Sequence, residues 1–262
     1  MARLDSELVS RGIARSRERA KELIKAGDIL VNGKTAKKGS QEVQESDHIE
    51  NCSQAEEYVG RGALKLKKAT EEFSLEYEGR VCIDIGASTG GFTEYMLSRG
   101  AKRVYAVDVG HGQLAEKLRN DNRVVNAEGM DIRELTEDFF GGKADFICTD
   151  VSFISLKKIL PKIKELLAEG AVSAVLIKPQ FEAGKSSIGK NGIVKDRKVH
   201  ERVLAEIDET AVSLGLHTAQ YTYSPIKGGS GNTEYLVKLI NSDIPRKAHD
   251  FRELTERAMK EL

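Results

Sequence analysis

In "AVLIKPQFE" a lysine, Lys178, closes a run of apolar residues, where an ammonium group is costly to bury. Burial and a neighbouring cation make a lysine less basic, so one placed there can orient a weak oxygen nucleophile and take its proton. Three carboxylates follow apolar runs earlier in the chain: Asp84 in "VCIDIGASTGGF", Asp108 in "VYAVDVG" and Asp131 in "GMDIR". A lone acid at a strand end is often a helix N-cap. Three on successive strands read better as one binding edge.

The glycine turn after Asp84 narrows what that edge holds. Gly86 is followed two residues later by Ser88, which breaks the G-x-G-x-x-G turn of dinucleotide sites. A carboxylate at the end of the first strand repels a pyrophosphate but suits an ammonium group, and Asp108 can accept ribose hydroxyls. Asp131 would sit where an adenine amino group is read. An amino acid and a ribose joined to adenine describe S-adenosylmethionine, with Asp84, Gly86, Ser88, Gly90, Gly91, Phe92, Asp108 and Asp131 as candidate cofactor-binding residues. A second phosphate-like motif, "GKSSIGKN", ends in Asn191 where Ser or Thr must hold a metal. It reads as a mobile loop near the site that touches RNA through Lys185 and Lys190.

Methyl transfer needs an aligned nucleophile, and the residues separate three kinds. Attack by a pyrimidine carbon needs a cysteine thiolate, but Cys82 and Cys148 lie in the apolar patterns "RVCIDI" and "DFICTD" and read as core. Amino-group methylation usually shows an Asp/Asn-Pro-Pro-aromatic turn, where this chain has "DVSF" at 150–153. A ribose 2′-hydroxyl served by Lys178 is left. The three cysteines are odd in number and lack C-x-x-C spacing, which argues against a disulfide framework or a metal site and fits a reducing cytoplasm.

Stepping along the chain, strand patterns at 81–85, 103–108, 124–126, 146–149, 172–178, 217–222 and 235–240 alternate with helical ones at 62–73, 91–99, 113–119, 156–168 and 196–214. Alternation of this kind predicts an α/β fold, a Rossmann-like, mostly parallel seven-stranded sheet with helices on both faces. Pro179 ends the strand that carries Lys178. The first 50 residues differ. Residues 1–38 hold ten Lys/Arg against five Asp/Glu, although the whole chain balances at 41 of each. Two short helices and a hairpin turning on Asn32-Gly33 are expected there, with Ser16 as N-cap and Gly27 as stop. Arg17, Lys21 and Lys25, spaced by four, share a helix face. We expect domains at 1–50 and 61–242, a linker at 51–60, and at 243–262 a helical tail that either docks or frays. The longest apolar run, Ala171–Ile177, is far too short to cross a bilayer.

"RLDSELVSRG" with "SRERAKELIKAGDILVNGK" resembles the small α+β RNA-binding domain first seen in ribosomal protein S-four. That resemblance implies backbone contacts to RNA from Arg3, Ser16, Arg17, Lys21 and Lys25. "YVGRGALKL", "DIGASTGGFTEYML", "TDVSFISL", "LIKPQFE" and "GGSGNTEYL" resemble the FtsJ-type ribose 2′-O-methyltransferases, and the two parts together resemble the TlyA family, often labelled hemolysin A. The resemblance implies a catalytic tetrad of Lys65, Asp150, Lys178 and Glu234, with Asp150 also at the methyl-donor end. It implies cytidine ribose in 16S and 23S ribosomal RNA as substrate, ribosomal subunits as partners, and transfer with no metal. Lys67, two residues beyond Lys65, would face away. Two rival expectations are a membrane-acting toxin, for which the sequence offers no secretion signal or spanning segment, and a catalytically dead RNA-binding protein, against which the full set of site residues argues.

Overall fold

The computed structural model describes residues 2–14, 16–51, 58–189, 191–245 and 248–262. The chain divides into two compact units, Met1–Glu57 and Tyr58–Leu262. Arg15, Cys52 and Lys190 lie outside the described residues.

In the first unit β1 (Ala2–Arg3) leads into α1 (Leu4–Ser10) and α2 (Arg17–Ala26), followed by β2 (Ile29–Val31), β3 (Lys34–Thr35), β4 (Glu42–Val43) and β5 (Ile49–Asn51). The Ser16 side chain accepts the Arg19 N–H, and Gly27 closes α2 in a left-handed conformation, as a cap and a stop should. Asn32 and Gly33 both take positive φ, the requirement of a type I′ turn. Leu4, Leu8, Ala20, Leu23, Ile29 and Val43 form its small core. The sequence pattern had marked 51–60 as linker, but Glu50 and Asn51 pair with Leu30 and Ile29.

The second unit runs α3 (Gly62–Phe73), β6 (Val81–Ile85), α4 (Gly91–Ser98), β7 (Arg103–Asp108), α5 (Glu116–Arg119), β8 (Val124–Glu128), α6 (Glu137–Phe140), β9 (Ala144–Thr149), α7 (Leu160–Leu166), β10 (Leu167–Ile177), α8 (Pro179–Glu182), α9 (Arg197–Ser213), β11 (His217–Tyr223), β12 (Tyr235–Ile240) and α10 (Phe251–Glu261). Seven strands form one sheet in the order β11-β12-β10-β9-β6-β7-β8. β6 to β10 pair in parallel and β12 is antiparallel to both its neighbours.

Strand alternation splits the core into two layers. Ile83, Ile85, Val107, Ile147, Val175 and Ile177 face α7, α9 and α10. Cys82, Val104, Phe146, Cys148, Ala174 and Leu176 face α3 and α4. Both of these cysteines are free, buried thiols that fill the core. The tail docks: Phe251, Leu254 and Ala258 of α10 join the first layer.

One departure from the sequence pattern matters for the site. α5 begins at Glu116 rather than 113, because the N–H groups of Gln113 and Leu114 donate to the Glu128 carboxylate. In the stretch read from the sequence as a loop near the site, Asn232 accepts the Val194 N–H and donates to the Gly192 carbonyl, and Arg202 donates to Ser187.

Candidate active site

The chain order reverses between β6 and β9, and the site lies where such sheets place their ligands, beyond the carboxyl ends of the strands. Two adjoining hollows open there, of about 360 and about 510 Å³. Gly86, Ser88, Asp150, Ser152 and Phe153 line both.

The smaller hollow carries the charges. Lys178, the last residue before α8, points its Nζ at Asp150 Oδ1, 2.5 Å away. Asp150 follows β9, and its other oxygen meets Lys65 Nζ of α3 at 3.0 Å. Lys65 in turn reaches Glu234, just before β12, at 2.8 Å. The result is an alternating chain, Lys178–Asp150–Lys65–Glu234, whose formal charges cancel. Its members come from four elements; Lys65 and Lys178 are each 7% exposed and Glu234 2%, while Asp150 is partly open to both hollows. Mutual neutralisation is what makes such burial tolerable. Burial opposes the charged form of Lys65, but Asp150 and Glu234 outweigh it and hold its ammonium above the ordinary lysine range. Asp150 behaves as the mirror image: burial would raise it, and Lys65 with Lys178 hold it below the ordinary carboxylate range. The charged group that touches Lys178 is thus a carboxylate, and the neighbouring cation stands on that carboxylate's far side. Lys67, on the same helix, does not line the hollow, and neither does Lys185.

Gly86 holds this chain in register. At its φ of +84°, an added Cβ would stand 2.8 Å from the Asp150 carbonyl oxygen. Gly228 does the same for Glu234, whose carboxylate oxygen occupies the place of its missing side chain, 2.3 Å from a built Cβ.

Asp84 sits one residue inside the strand end and points toward α4, where the Thr93 hydroxyl donates to it at 2.7 Å. It borders the smaller hollow while almost wholly buried. Burial pushes its carboxyl up to about 7, against the lowering effect of Thr93. Gly90 gives α4 its left-handed N-cap, Gly91 and Phe92 open the helix, and both of the latter line the hollow.

The larger hollow has a size and lining that suit an adenosine. Val109, Met130, Ile132, Ile154 and Ile159 give it apolar walls, with Asp108 and Asp131 at its edge. Asp108 accepts the backbone N–H groups of Ser88 and Gly110, one per oxygen, which leaves each oxygen a lone pair for a hydroxyl. Asp131 is also a cap: it accepts the Arg133 N–H and pairs with the Arg133 guanidinium at 2.5 Å. Size, apolar walls, strand-end carboxylates and a buried acid beside the smaller hollow fit S-adenosylmethionine.

Sequence reasoning missed several residues here. Phe153 is 91% exposed, takes a φ of 63° and lies 5.0 Å from the Phe181 ring. Glu182 accepts from Ser155 Oγ and Leu156 N, tying the 150–156 turn to α8. Ser152 accepts a 2.8 Å bond from Lys178 Nζ. The one signal available was an aromatic residue in a polar turn after a strand-end acid, in "DVSF".

In the first unit Arg3 and Arg17 both bond to the inaccessible Asp5, which orients two half-exposed guanidiniums. The Arg3 hydrogen bond first, then Arg17, overcomes desolvation and holds Asp5 well below the ordinary carboxylate range. Lys21 and Lys25 border a shallow cleft with Lys37. Ser16 is occupied as the α2 cap.

Among the described residues, no helix is long and apolar enough to cross a membrane. An FtsJ-like methyltransferase model matches residues 58–240 and an S4 domain model residues 2–49. A Mycobacterium tuberculosis protein named 16S/23S rRNA (cytidine-2′-O)-methyltransferase TlyA is 43% identical over 99% of this chain and 98% of its own. Hemolysin A of Brachyspira hyodysenteriae is 43% identical over 91% of this chain and 99% of its own. A solved structure from Streptococcus thermophilus, provisionally named a hemolysin, superposes with a TM-score of 0.78 at 42% identity, covering 99% of this chain and 96% of that one. With both domain models matched and relatives alike over nearly its whole length, the chain belongs to the TlyA family, an S4 domain joined to an FtsJ-like methyltransferase domain.

Proposed function

We propose that the protein transfers the methyl group of S-adenosylmethionine to the 2′-hydroxyl of a cytidine ribose in 16S and 23S ribosomal RNA, in the cytoplasm. The observation that carries this reading is the buried Lys178–Asp150–Lys65–Glu234 chain beside a trough edged by strand-end carboxylates. S-adenosylmethionine supplies a methyl group already activated on a sulfonium, so the protein's task is to align the acceptor and manage one proton.

Asp84 meets the ammonium of the cofactor's amino acid, Asp108 its ribose hydroxyls and Asp131 its adenine. Lys178, once it has released its own ammonium proton, orients the acceptor 2′-oxygen and takes the proton from it. Asp150 fixes Lys178 from one side and is itself fixed by Lys65 and Glu234, so the Nζ position is set before the acceptor arrives. Phe153, on the rim of both hollows, offers a stacking face for the base of a nucleotide splayed out of its helix. Arg3, Arg17, Lys21 and Lys25 hold RNA phosphates, which positions the substrate without reading its sequence.

The test is methylation of 16S and 23S rRNA, naked and within subunits, followed by digestion to nucleosides. Recovery of 2′-O-methylcytidine is expected; a methyl group on a base would overturn the ribose reading.

A further inference from the structure

We propose that the Ser152 hydroxyl relays the proton of Lys178 from the active site to solvent. This rests on the ribose reading above, in which each turnover leaves a proton on Lys178.

That proton needs a way out, and Lys178, although it lines the smaller hollow, is only 7% exposed. From β9, Asp150 Oδ1 touches Lys178 Nζ at 2.5 Å and Asp150 borders both hollows, but its other oxygen is held by Lys65. Burial opposes ionisation of Asp150, yet the two lysines win and keep it a weak proton acceptor. From α3 and the residue before β12, Lys65 and Glu234 are nearly inaccessible and their charged ends pair with each other. Asp84 of β6 and Arg61 at the start of α3 line the same hollow, Asp84 as a buried carboxyl bonded to Thr93. From α8 the Phe181 ring lies with its centroid 5.9 Å from Nζ, and Gln180 lines the wall with a buried amide.

Ser152 differs from all of these. Its oxygen accepts from Lys178 Nζ at 2.8 Å, the side chain is exposed, and among the described residues its own hydrogen meets no protein acceptor. It lines both hollows, so it sits at their common mouth. A hydroxyl with one lone pair filled and its hydrogen free can pass a proton through. The N–H bond of Lys178 breaks as a new O–H bond forms on Ser152, and the hydrogen that Ser152 carried leaves to water. The neutral amine and the hydroxyl are both restored. Glu182 keeps the turn in place for this by holding Ser155 and Leu156.

The test follows rRNA methylation by wild type, Ser152→Ala and Ser152→Thr from below neutrality to the alkaline side, with S-adenosylmethionine affinity measured in parallel. Loss of a proton-transfer group lowers the rate of Ser152→Ala by roughly 10- to 100-fold near neutrality. Its deficit shrinks as pH rises, because solvent base then takes the proton directly. Ser152→Thr keeps the hydroxyl and restores most of the rate, and saturating cofactor keeps any change in its affinity out of the comparison. A deficit equal at every pH would mean a packing role and overturn the relay, as would no deficit at all. If wild type itself leaves no methyl on ribose, the ribose reading falls and the relay with it; if wild type methylates and Ser152→Ala matches it, the relay alone falls.

Discussion

Asp84 carries a consequence for pH. Its carboxyl is raised to about 7 from an ordinary 3.8, so the fold holds this proton more tightly than the unfolded chain does. Between about 4 and 7 Asp84 therefore subtracts stability as pH rises, and the loss is complete above 7. A cofactor ammonium reverses the preference, since it favours the carboxylate. S-adenosylmethionine affinity should then fall as pH drops below about 7, by up to about ten-fold per unit, and Asp84→Asn should bind weakly and lose that dependence. Calorimetric titrations at several pH values check this; a flat profile in wild type would remove Asp84 from the ammonium site. Phe153 makes a different prediction. Phe153→Ala should lower kcat/KM for RNA by the equivalent of about 1–3 kcal/mol, the range for a base–aromatic stack, and by more than it weakens cofactor binding. An unchanged kcat/KM would leave the exposed ring without a part in acceptor binding.

At the scale of elements the site depends on loops that approach one another closely. Gly86→Ala would drive a Cβ against the Asp150 carbonyl and force an L residue to φ +84°, a conformation that costs of order 1–3 kcal/mol. Thermal denaturation should show a lowered Tm, and methyl transfer should fall further than stability because Asp150 is displaced from Lys178. A variant with wild-type activity would show that the turn can move without harm. The seven strands were legible because their apolar runs are bounded by turn residues, and Ser16, Gly27 and Asn32-Gly33 announced the α2 ends and the hairpin. The two-residue strands β1 and β4 were not, being too short to show a period. The late start of α5 was also hidden, because Glu128 takes the N–H groups of Gln113 and Leu114 across a gap in sequence that no local pattern records. The strand-end acids and Lys178 could be read from position alone, whereas Ser152 and Glu182 gain meaning only from what β9 and α8 bring beside them.

For the whole molecule, net charge is zero, yet the first unit carries Arg17, Lys21 and Lys25 along α2, and Asp5 steadies Arg17 together with Arg3 of β1. Binding through phosphates releases counterions, so rRNA affinity should fall steeply with salt. Lys21→Ala and Lys25→Ala should each weaken binding for every RNA sequence alike and reduce the salt slope by about 1. Filter binding over a salt series checks this; an unchanged slope would place the RNA contacts elsewhere.

The central claim is that Lys178, steadied by Asp150, Lys65 and Glu234, handles the proton of a ribose hydroxyl. Single-turnover transfer of a labelled methyl group to rRNA by Lys178→Ala, with cofactor binding and folding confirmed on the same sample, tests it most directly. The account predicts a bound cofactor and a rate lowered by at least about 10²-fold, the contribution of a positioned acid–base group. Transfer at the wild-type rate would contradict it.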